Sequence, residues 1–203
     1  MFNKRNVESI SNIDFTVQDL PLQSFEQYEF TNCIFSNISG TDFTDCSFIN
    51  CNMSNAVITN CKMFDVEFVD CKLIGVNFSD TKDFGFSVRF EKCLLDYTNF
   101  DNKKLNKSAF VNCKINGADF TQADLSKSKF SNCDLLGAVF SYTNLSGVDF
   151  TTSQNFTIDP AINNVKKAKF LSSDLAGLLT KFDIIIKWRL SEFVIILNLK
   201  NLL

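Results

Sequence analysis

The chain contains no histidine, and its eight cysteines form no C-x-x-C pair. The absence of histidine removes the Ser-His-Asp and Cys-His pairs that activate many catalytic nucleophiles, and it removes a common zinc ligand. The cysteine spacing likewise lacks the paired ligands typical of a zinc site. We therefore expect no enzymatic activity, no cofactor and no metal site.

Long apolar runs are also missing. No uninterrupted apolar run reaches the length of a membrane span, and the first ten residues, MFNKRNVESI, have no apolar core typical of a secretory signal. The chain has 203 residues, 45% of them hydrophobic, which is enough for one domain with a sizeable core. The expectation is a soluble, cytoplasmic protein.

What the sequence does contain is a large apolar residue at every fifth position. This period holds over thirteen consecutive positions from Phe90 to Phe150, and two further blocks run from Phe15 to Phe35 and from Phe43 to Phe78. In a helix every fifth residue is rotated by about 140°, and in a strand it lies on the opposite face, so neither element collects these side chains. The period predicts a chain that turns a corner every five residues.

Two other positions of the five-residue unit are also regular. A small residue lies two positions before the large one, and all eight cysteines occupy this small position, which indicates core packing rather than metal or redox chemistry. Lys103 is the plain exception. Two residues after the large one, Asn, Asp and Gly dominate, as expected where a turn requires positive φ. The predicted corners are Asn32, Asn37, Asp45, Asn50, Asn55, Asn60, Asp65, Asp70, Gly75, Asp80, Asn102, Asn112, Gly117, Asn132, Gly137 and Gly147.

Four such units close a square coil, and stacked coils hydrogen-bond at the usual inter-strand spacing of roughly 4.8 Å. The predicted fold is an all-β solenoid, a right-handed quadrilateral β-helix of about eight coils and about 40 Å in length, with a short C-terminal helix-plus-strand cap. Phe should stack in columns on two opposite walls. Cys93, Cys113 and Cys133 should form one column, in which parallel Cβ vectors suit packing better than a disulfide.

The period slips at two places, 36–42 and 79–89, by three and by two residues. We expect both stretches to bulge from a corner, because the interior of the rod has no room for extra backbone. The predicted loop residues are Ser39, Gly40, Lys82, Asp83 and Phe84.

After Phe150 the pattern breaks and ends in LAGLLTKFDIIIKW. We expect a short helix over Leu175–Lys181 and then a strand, which together cap the open end of the coil or form a dimer contact. The predicted cap and dimer residues are Leu178, Leu179, Phe182, Ile184, Ile186 and Trp188. The predicted organisation is an N-terminal segment (1–14), the β-helix (15–157), the last coil and cap (158–188) and an apolar tail (189–203).

Units such as Ala118–Gln122 (ADFTQ), Ala123–Lys127 (ADLSK) and Thr143–Gly147 (TNLSG) resemble the A-(D/N)-L-x-x unit of the pentapeptide-repeat family. The C-terminal segment is similar to the helix-plus-strand module through which the quinolone-resistance (Qnr-like) branch of that family dimerises end to end. This resemblance implies a homodimer. It also implies a protein partner, a type II topoisomerase such as DNA gyrase or topoisomerase IV.

Charge is unevenly distributed along the chain. Residues 8–83 hold twelve acids and three lysines, whereas residues 84–157 hold seven acids and eight bases. An acidic rod about as wide as a duplex presents a DNA-like field to a basic protein groove. The candidate partner-binding residues are Asp42, Asp45, Asp65, Glu67, Asp70 and Asp80. The alternative is that these carboxylates serve the turns and solubility.

Two functional hypotheses follow. The preferred one is a non-catalytic protein-binding rod, a DNA mimic that modulates a type II topoisomerase or protects it from quinolones. The alternative is a pentapeptide-repeat interaction scaffold with no topoisomerase role. Under either hypothesis we expect no direct contact with nucleic acid or with a membrane.

Overall fold

The computed structural model describes residues 7–187. Short β-strands alternate with tight turns, and three 3₁₀ helices lie at Phe78–Asp80, Ser172–Leu178 and Thr180–Phe182. The strands are β1 (Glu8–Ser11), β2 (Ser24–Glu26), β3 (Tyr28–Thr31), β4 (Asp42–Thr44), β5 (Ser47–Ile49), β6 (Lys62–Phe64), β7 (Val66–Val69), β8 (Val88–Glu91), β9 (Ala109–Val111) and β10 (Lys129–Ser131).

Every strand pairs in parallel with a strand one turn away along the chain, so the chain winds into a solenoid with four walls. The first wall is a seven-stranded sheet of order β1-β3-β5-β7-β8-β9-β10, and the fourth is a three-stranded sheet, β2-β4-β6. The second and third walls pair through single bridges, such as Asn52 with Lys72 and Asn99 with Asp119. The predicted quadrilateral β-helix is confirmed.

The number of coils differs slightly from the prediction. The seven-stranded sheet defines six turns of strand pairing, fewer than the eight coils predicted. Single bridges continue the first wall beyond β10, from Lys129 to Asp149 and from Asp149 to Lys169. The last coils therefore belong to the rod, but they join it through single bridges, such as Asp134 with Gln154 and Asn144 with Asn164, instead of strands.

Two columns of stacked phenylalanine rings fill the core. Consecutive rings lie 4.6 to 5.4 Å apart in the longer column and 4.7 to 5.2 Å apart in the shorter one. Rings of the two columns meet edge to face, as Phe110 and Phe120 do at 6.0 Å and 90°. Such pairs contribute about 0.5–1.5 kcal/mol beyond their buried area. The columns consist of Phe30, Phe48, Phe68, Phe90, Phe110, Phe130, Phe150 and Phe170, and of Phe78, Phe100, Phe120 and Phe140.

The cysteines are buried and free, and six of them stack on the second wall. The predicted column of three thus extends to Cys33, Cys51, Cys71, Cys93, Cys113 and Cys133, because the residues that follow them pair from turn to turn. Each thiol also has a polar role. The Sγ of Cys51 donates to the Phe30 carbonyl at 3.3 Å, and the Sγ of Cys71 donates to the Phe48 carbonyl at 3.2 Å.

Other small residues make the same inter-turn bond. Thr143 Oγ1 donates to the Phe120 carbonyl at 2.8 Å, and Ser153 Oγ donates to the Phe130 carbonyl at 2.7 Å. The small position therefore selects compact hydrogen-bond donors as well as small volume. This explains why Cys, Ser and Thr share it with Ala and Val.

The corners have the predicted left-handed backbone, except at Asn37 and Asp80. Asp80 instead ends the 3₁₀ helix Phe78–Asp80, and the Asn37 side chain accepts a hydrogen bond from the Ser39 N–H at 3.0 Å. Gly75 has φ +71°, and a Cβ there would lie 2.4 Å from Asn55 Oδ1. A side chain at this corner would displace the Asn55 side chain, whereas most other corners accept Asn, Asp or Lys.

The first register slip is a contraction, so the predicted bulge at 36–42 is wrong. Strands β2 and β4 pair Phe25 with Phe43, two residues short of the usual twenty. Ile38 is buried three residues after Phe35 and supplies the wall residue of a shortened unit. Ser39 and Gly40 form an ordinary corner, where the Gly40 N–H donates to the Thr59 carbonyl at 2.8 Å.

The second slip is an insertion, as predicted. Val66 pairs with Val88, two residues more than the usual twenty. The extra backbone lies between two hydrogen bonds, from the Lys82 N–H to the Cys61 carbonyl and from the Ser87 N–H to the Met63 carbonyl, each 2.9 Å long. We call residues 82–87 the insertion loop.

The C-terminal end differs from the predicted helix-plus-strand cap. Two 3₁₀ helices, Ser172–Leu178 and Thr180–Phe182, replace the helix predicted over Leu175–Lys181. Residues 183–187 form no strand, because within the described chain no neighbouring strand pairs with them. Trp188 and the tail 189–203 lie outside the described residues. Nowhere in the described range is there a helix that is long and apolar enough to cross a bilayer.

We expect the eight thiols to be reduced in the native protein but slow to react. Burial raises the pKa of the Cys46 thiol, and it raises the pKa of the Cys61 thiol to about 11. The reactive thiolate of these two residues is therefore scarce at pH 8, and burial shields the other six thiols from the reagent. Labelling with a chromogenic disulfide should reach all eight only in denaturant, and rapid labelling of most of them in buffer would contradict the packing described above.

Candidate functional site

Three of the predicted acidic residues lie together at the corner between the fourth and first walls. Asp45 and Asp65 occupy this corner in consecutive turns, since the Asp45 N–H donates to the carbonyl of Phe64 at 2.9 Å. Both have left-handed backbone, with φ of 51° and 52°. Glu67 projects from β7 beside them. These three carboxylates form one continuous acidic surface.

The other three predicted acids lie on different sides of the rod. Asp70 is at the corner between the first and second walls, and Asp80 ends the 3₁₀ helix that follows the third wall. Asp42 lies in β4 on the fourth wall, where the Lys82 ammonium pairs with it at 2.7 Å. The predicted acidic face is therefore a band around the rod rather than a single face.

A surface cleft of about 590 Å³ opens beside the insertion loop. Asp45, Asp65 and Glu67 line one side of it, and Arg89 and Lys107 line the other. The buried ring of Phe86 contributes an apolar surface between them. The cleft therefore combines charges of both signs with an apolar surface, an arrangement suited to binding a charged side chain of another protein.

Contacts inside the cleft are few. The Arg89 guanidinium lies 3.6 Å from the Glu67 carboxylate, and both side chains are more than half exposed. Asp65 accepts a hydrogen bond from Ser87 Oγ at 2.8 Å. Within residues 7–187, Asp45 and Lys107 form no ion pair. Exposed pairs of this kind are individually weak, so these charges remain available to a partner.

Lys103 holds the insertion loop in place. Its side chain is only 1% exposed, and its ammonium donates to the Thr81 carbonyl at 2.6 Å and to Asp83 Oδ1 at 2.7 Å. The ammonium also lies 5.2 Å from the centre of the Phe86 ring. Lys103 breaks the small-residue rule because the two inserted residues open a space one turn below it, which its side chain fills.

The loop tip presents an aromatic side chain to solvent. Phe84 is 90% exposed. The two residues before it are held by ion pairs, Lys82 with Asp42 and Asp83 with Lys103. Of the predicted loop residues, Lys82, Asp83 and Phe84 therefore do lie in a projecting loop, whereas Ser39 and Gly40 do not.

Sequence reasoning missed Phe86, Arg89 and Lys107 as members of the site. They lie near Asp45 and Asp65 because of the register between turns, and this register is changed by the contraction and by the insertion. One signal was present in the sequence. Lys103 lies where the repeat predicts a small residue, and it follows the second slip by about one coil.

The predicted cap residues divide into two groups. Leu178 packs against the core, which closes this end of the rod. Phe182, Ile184 and Ile186 are exposed, and Ile184 and Ile186 line a small pocket of about 330 Å³ together with Leu179. This apolar surface is a second candidate site.

A parallel four-walled solenoid with a packed interior is the architecture of a repeat protein. Within residues 7–187 its charged groups lie on the exterior or, as with Lys103, hold a loop. A family model described as a pentapeptide repeat region matches residues 23–100, 85–159 and 103–178. The chain belongs to the pentapeptide repeat family. A comparison with curated protein sequences finds no match.

Solved structures of similar shape include QnrB1, described as a plasmid-mediated fluoroquinolone resistance protein. Full-length QnrB1 is 19% identical with a TM-score of 0.61, and the match covers 87% of this chain and 100% of QnrB1. A trypsin-treated QnrB1 variant is also 19% identical, with a TM-score of 0.53, and the match covers 90% of this chain and 100% of the variant. The likeness shows that the two proteins share a fold.

The contacts of Lys103 predict that Asp83→Ala destabilises the protein more than Lys103→Met does. Removing Asp83 leaves a buried ammonium without its counter-ion, which should cost about 1–3 kcal/mol. Removing the ammonium lets the exposed Asp83 rehydrate, and the methionine keeps most of the packing, so the cost should stay below about 1 kcal/mol. Urea unfolding measures both changes.

Both variants should also free the insertion loop and speed proteolytic cleavage within residues 82–87. Lys104→Met, which changes the neighbouring exposed lysine, is the matched control and should alter neither property. A larger loss of stability from Lys103→Met than from Asp83→Ala would show that Asp83 does not compensate the buried charge.

Proposed function

We propose that this pentapeptide repeat protein is a non-catalytic, protein-binding rod whose acidic half occupies a basic groove of a type II topoisomerase in place of DNA. The target is DNA gyrase or topoisomerase IV, and the outcome is modulation of the enzyme or protection from quinolones. The proposal is supported by the shared fold with QnrB1, described as a fluoroquinolone resistance protein. The charge density of the rod is the observation that carries it.

Residues 8–83 carry twelve acids and three lysines, a net charge of −9. They span three full steps of the first wall, from β1 to β7, and most of the turn that leads to β8, or about 18 Å at roughly 4.8 Å per step. The acidic half thus carries one net negative charge per roughly 2 Å of length, compared with one per about 1.7 Å in duplex DNA. The predicted acids also surround the rod, as phosphates surround a duplex.

The cleft concentrates part of this negative charge at one place on the rod. Asp45, Asp65 and Glu67 line it in consecutive turns beside Phe86. A basic side chain of the topoisomerase that enters the cleft would meet two or three carboxylates and an aromatic ring, a combination that favours Arg or Lys. We propose these three carboxylates as the main contact.

Neutralising the cleft should weaken binding with little effect on folding. The variant is Asp45→Asn, Asp65→Asn, Glu67→Gln, and asparagine suits both corners because it already occupies the left-handed positions Asn50 and Asn60. Loss of three exposed pairs at about 0.5–1 kcal/mol each predicts a dissociation constant roughly ten to a hundred times higher. A gyrase supercoiling assay with and without ciprofloxacin, together with direct binding at several salt concentrations, measures the effect.

The matched control is Glu91→Gln, Asp101→Asn, Asp174→Asn, which removes the same charge from the other half of the rod and should change binding less than threefold. Binding of the unmodified protein should weaken as salt rises, because long-range charge attraction is screened. A neutralised cleft with full affinity, or a native protein that never affects gyrase or topoisomerase IV, would leave the interaction scaffold with another partner as the function.

We also propose that the chain forms a homodimer end to end through the apolar C-terminal surface of Leu179, Phe182, Ile184 and Ile186. Apolar burial drives this contact, so it should persist in high salt. Ile184→Asp together with Ile186→Asp should halve the molar mass seen by light scattering while the far-UV spectrum stays unchanged. A native protein that is monomeric at high concentration would refute the dimer.

A further inference from the structure

The corner between the fourth and first walls carries an ordered charge pattern along the rod. In successive turns it presents Asp45, Asp65, Ser87, Lys107 and Lys127. The stacking is direct, because Ser87 Oγ donates to Asp65 Oδ1 at 2.8 Å and the Lys107 N–H donates to the Ser126 carbonyl, next to Lys127, at 3.0 Å. We call these five residues the charged ridge.

The sign of the charge on the ridge reverses at Ser87. Two carboxylates lie one and two turns to one side of it, and two ammonium groups lie one and two turns to the other side, with a turn spacing of roughly 4.8 Å. A two-fold axis through Ser87, perpendicular to the rod, therefore places Asp65 opposite Lys107 of the partner subunit and Asp45 opposite Lys127 of the partner subunit. The same operation creates both reciprocal pairs, as in any isologous contact.

The four charges are poorly compensated within one chain. Within residues 7–187, none of Asp45, Asp65, Lys107 and Lys127 belongs to an ion pair. Like charges are adjacent on each half of the ridge, which is unfavourable. Asp65, Lys107 and Lys127 are exposed and Asp45 is partly exposed, so all four can reach a second molecule.

We propose that two copies of the chain associate side by side and antiparallel through the charged ridge. The contact is distinct from the end-to-end dimer and does not depend on a topoisomerase. Exposed ion pairs are weak and screened by salt, so the association is weak and forms only at low ionic strength. The opposed charges fix both the antiparallel direction and the register, because a shift by one turn places Ser87 opposite a charge and leaves a lysine and an aspartate without partners.

Charge reversal tests the proposal because the fold accepts either charge on this corner. Asp45 and Asp65 have φ of 51° and 52°, and Lys107 and Lys127 have φ of 65° and 60°. The first variant is Asp45→Lys with Asp65→Lys, which makes the ridge wholly basic. The second is Lys107→Asp with Lys127→Asp, which makes it wholly acidic. The third combines all four changes and reverses the pattern.

We expect the native protein to be more strongly associated at about 20 mM salt than at about 500 mM salt. Sedimentation velocity over a concentration series measures the difference. The basic and the acidic variants should each lose this salt-dependent association, with a dissociation constant at least fivefold higher. An equimolar mixture of the two should regain it, since every pair is then complementary. The fourfold variant should regain it alone, and this recovery also shows that the substitutions leave the fold intact.

The end-to-end contact involves none of the four residues and adds the same salt-resistant background to every sample. Salt-dependent association that survives in both the basic and the acidic variant would overturn the proposal. So would a mixture that associates no better than its separate components. A fourfold variant that folds by circular dichroism but shows no salt-dependent association at low salt would overturn the antiparallel register.

Discussion

The parallel, in-register stacking of consecutive turns is the constraint on which the rest of this molecule depends. It places phenylalanine on phenylalanine at about 5 Å in the core, and it lets small residues such as Cys51 and Ser153 donate to a carbonyl of the turn before. The same register acts outside, where it places Asp65 beside Asp45 and Lys127 beside Lys107. Stacking identical residues is favourable for aromatic rings and unfavourable for charges. The surface therefore carries repulsion between like charges that the interior does not.

The two irregularities of the rod compensate each other. The contraction near Ile38 removes two residues from one turn, and the insertion loop returns two residues to a later one. After both, Phe90 and Phe110 pair at the regular interval and the phenylalanine column continues without a break. The cleft and the buried Lys103 are therefore local consequences of the insertion, and neither disturbs the ladder on which the fold depends.

Much of the fold could be predicted from the sequence because a period of five is visible in single residues. The columns, the small positions and nearly all corners follow from it. The contraction was misjudged because the large residues on either side, Phe35 and Phe43, suggested added chain, whereas Ile38 shortens it. The strand predicted after Lys181 is absent from residues 183–187, because alternating apolar residues form a strand only where a neighbouring strand pairs with them. The cleft depends on backbone displacement, which no pattern of residue types records.

Lys103 also affects how the rod is assembled on the ribosome. The chain emerges from its N-terminus, so the acidic coils and Phe86 are made before the lysine that fixes the insertion loop. Until the next coil has wound onto the rod, Asp83 has no ammonium to bind, and the side of the cleft formed by Phe86 stays open. Completion of the candidate site is therefore coupled to growth of the solenoid past residue 103, and a nascent chain that stalls earlier carries the acids without the finished cleft.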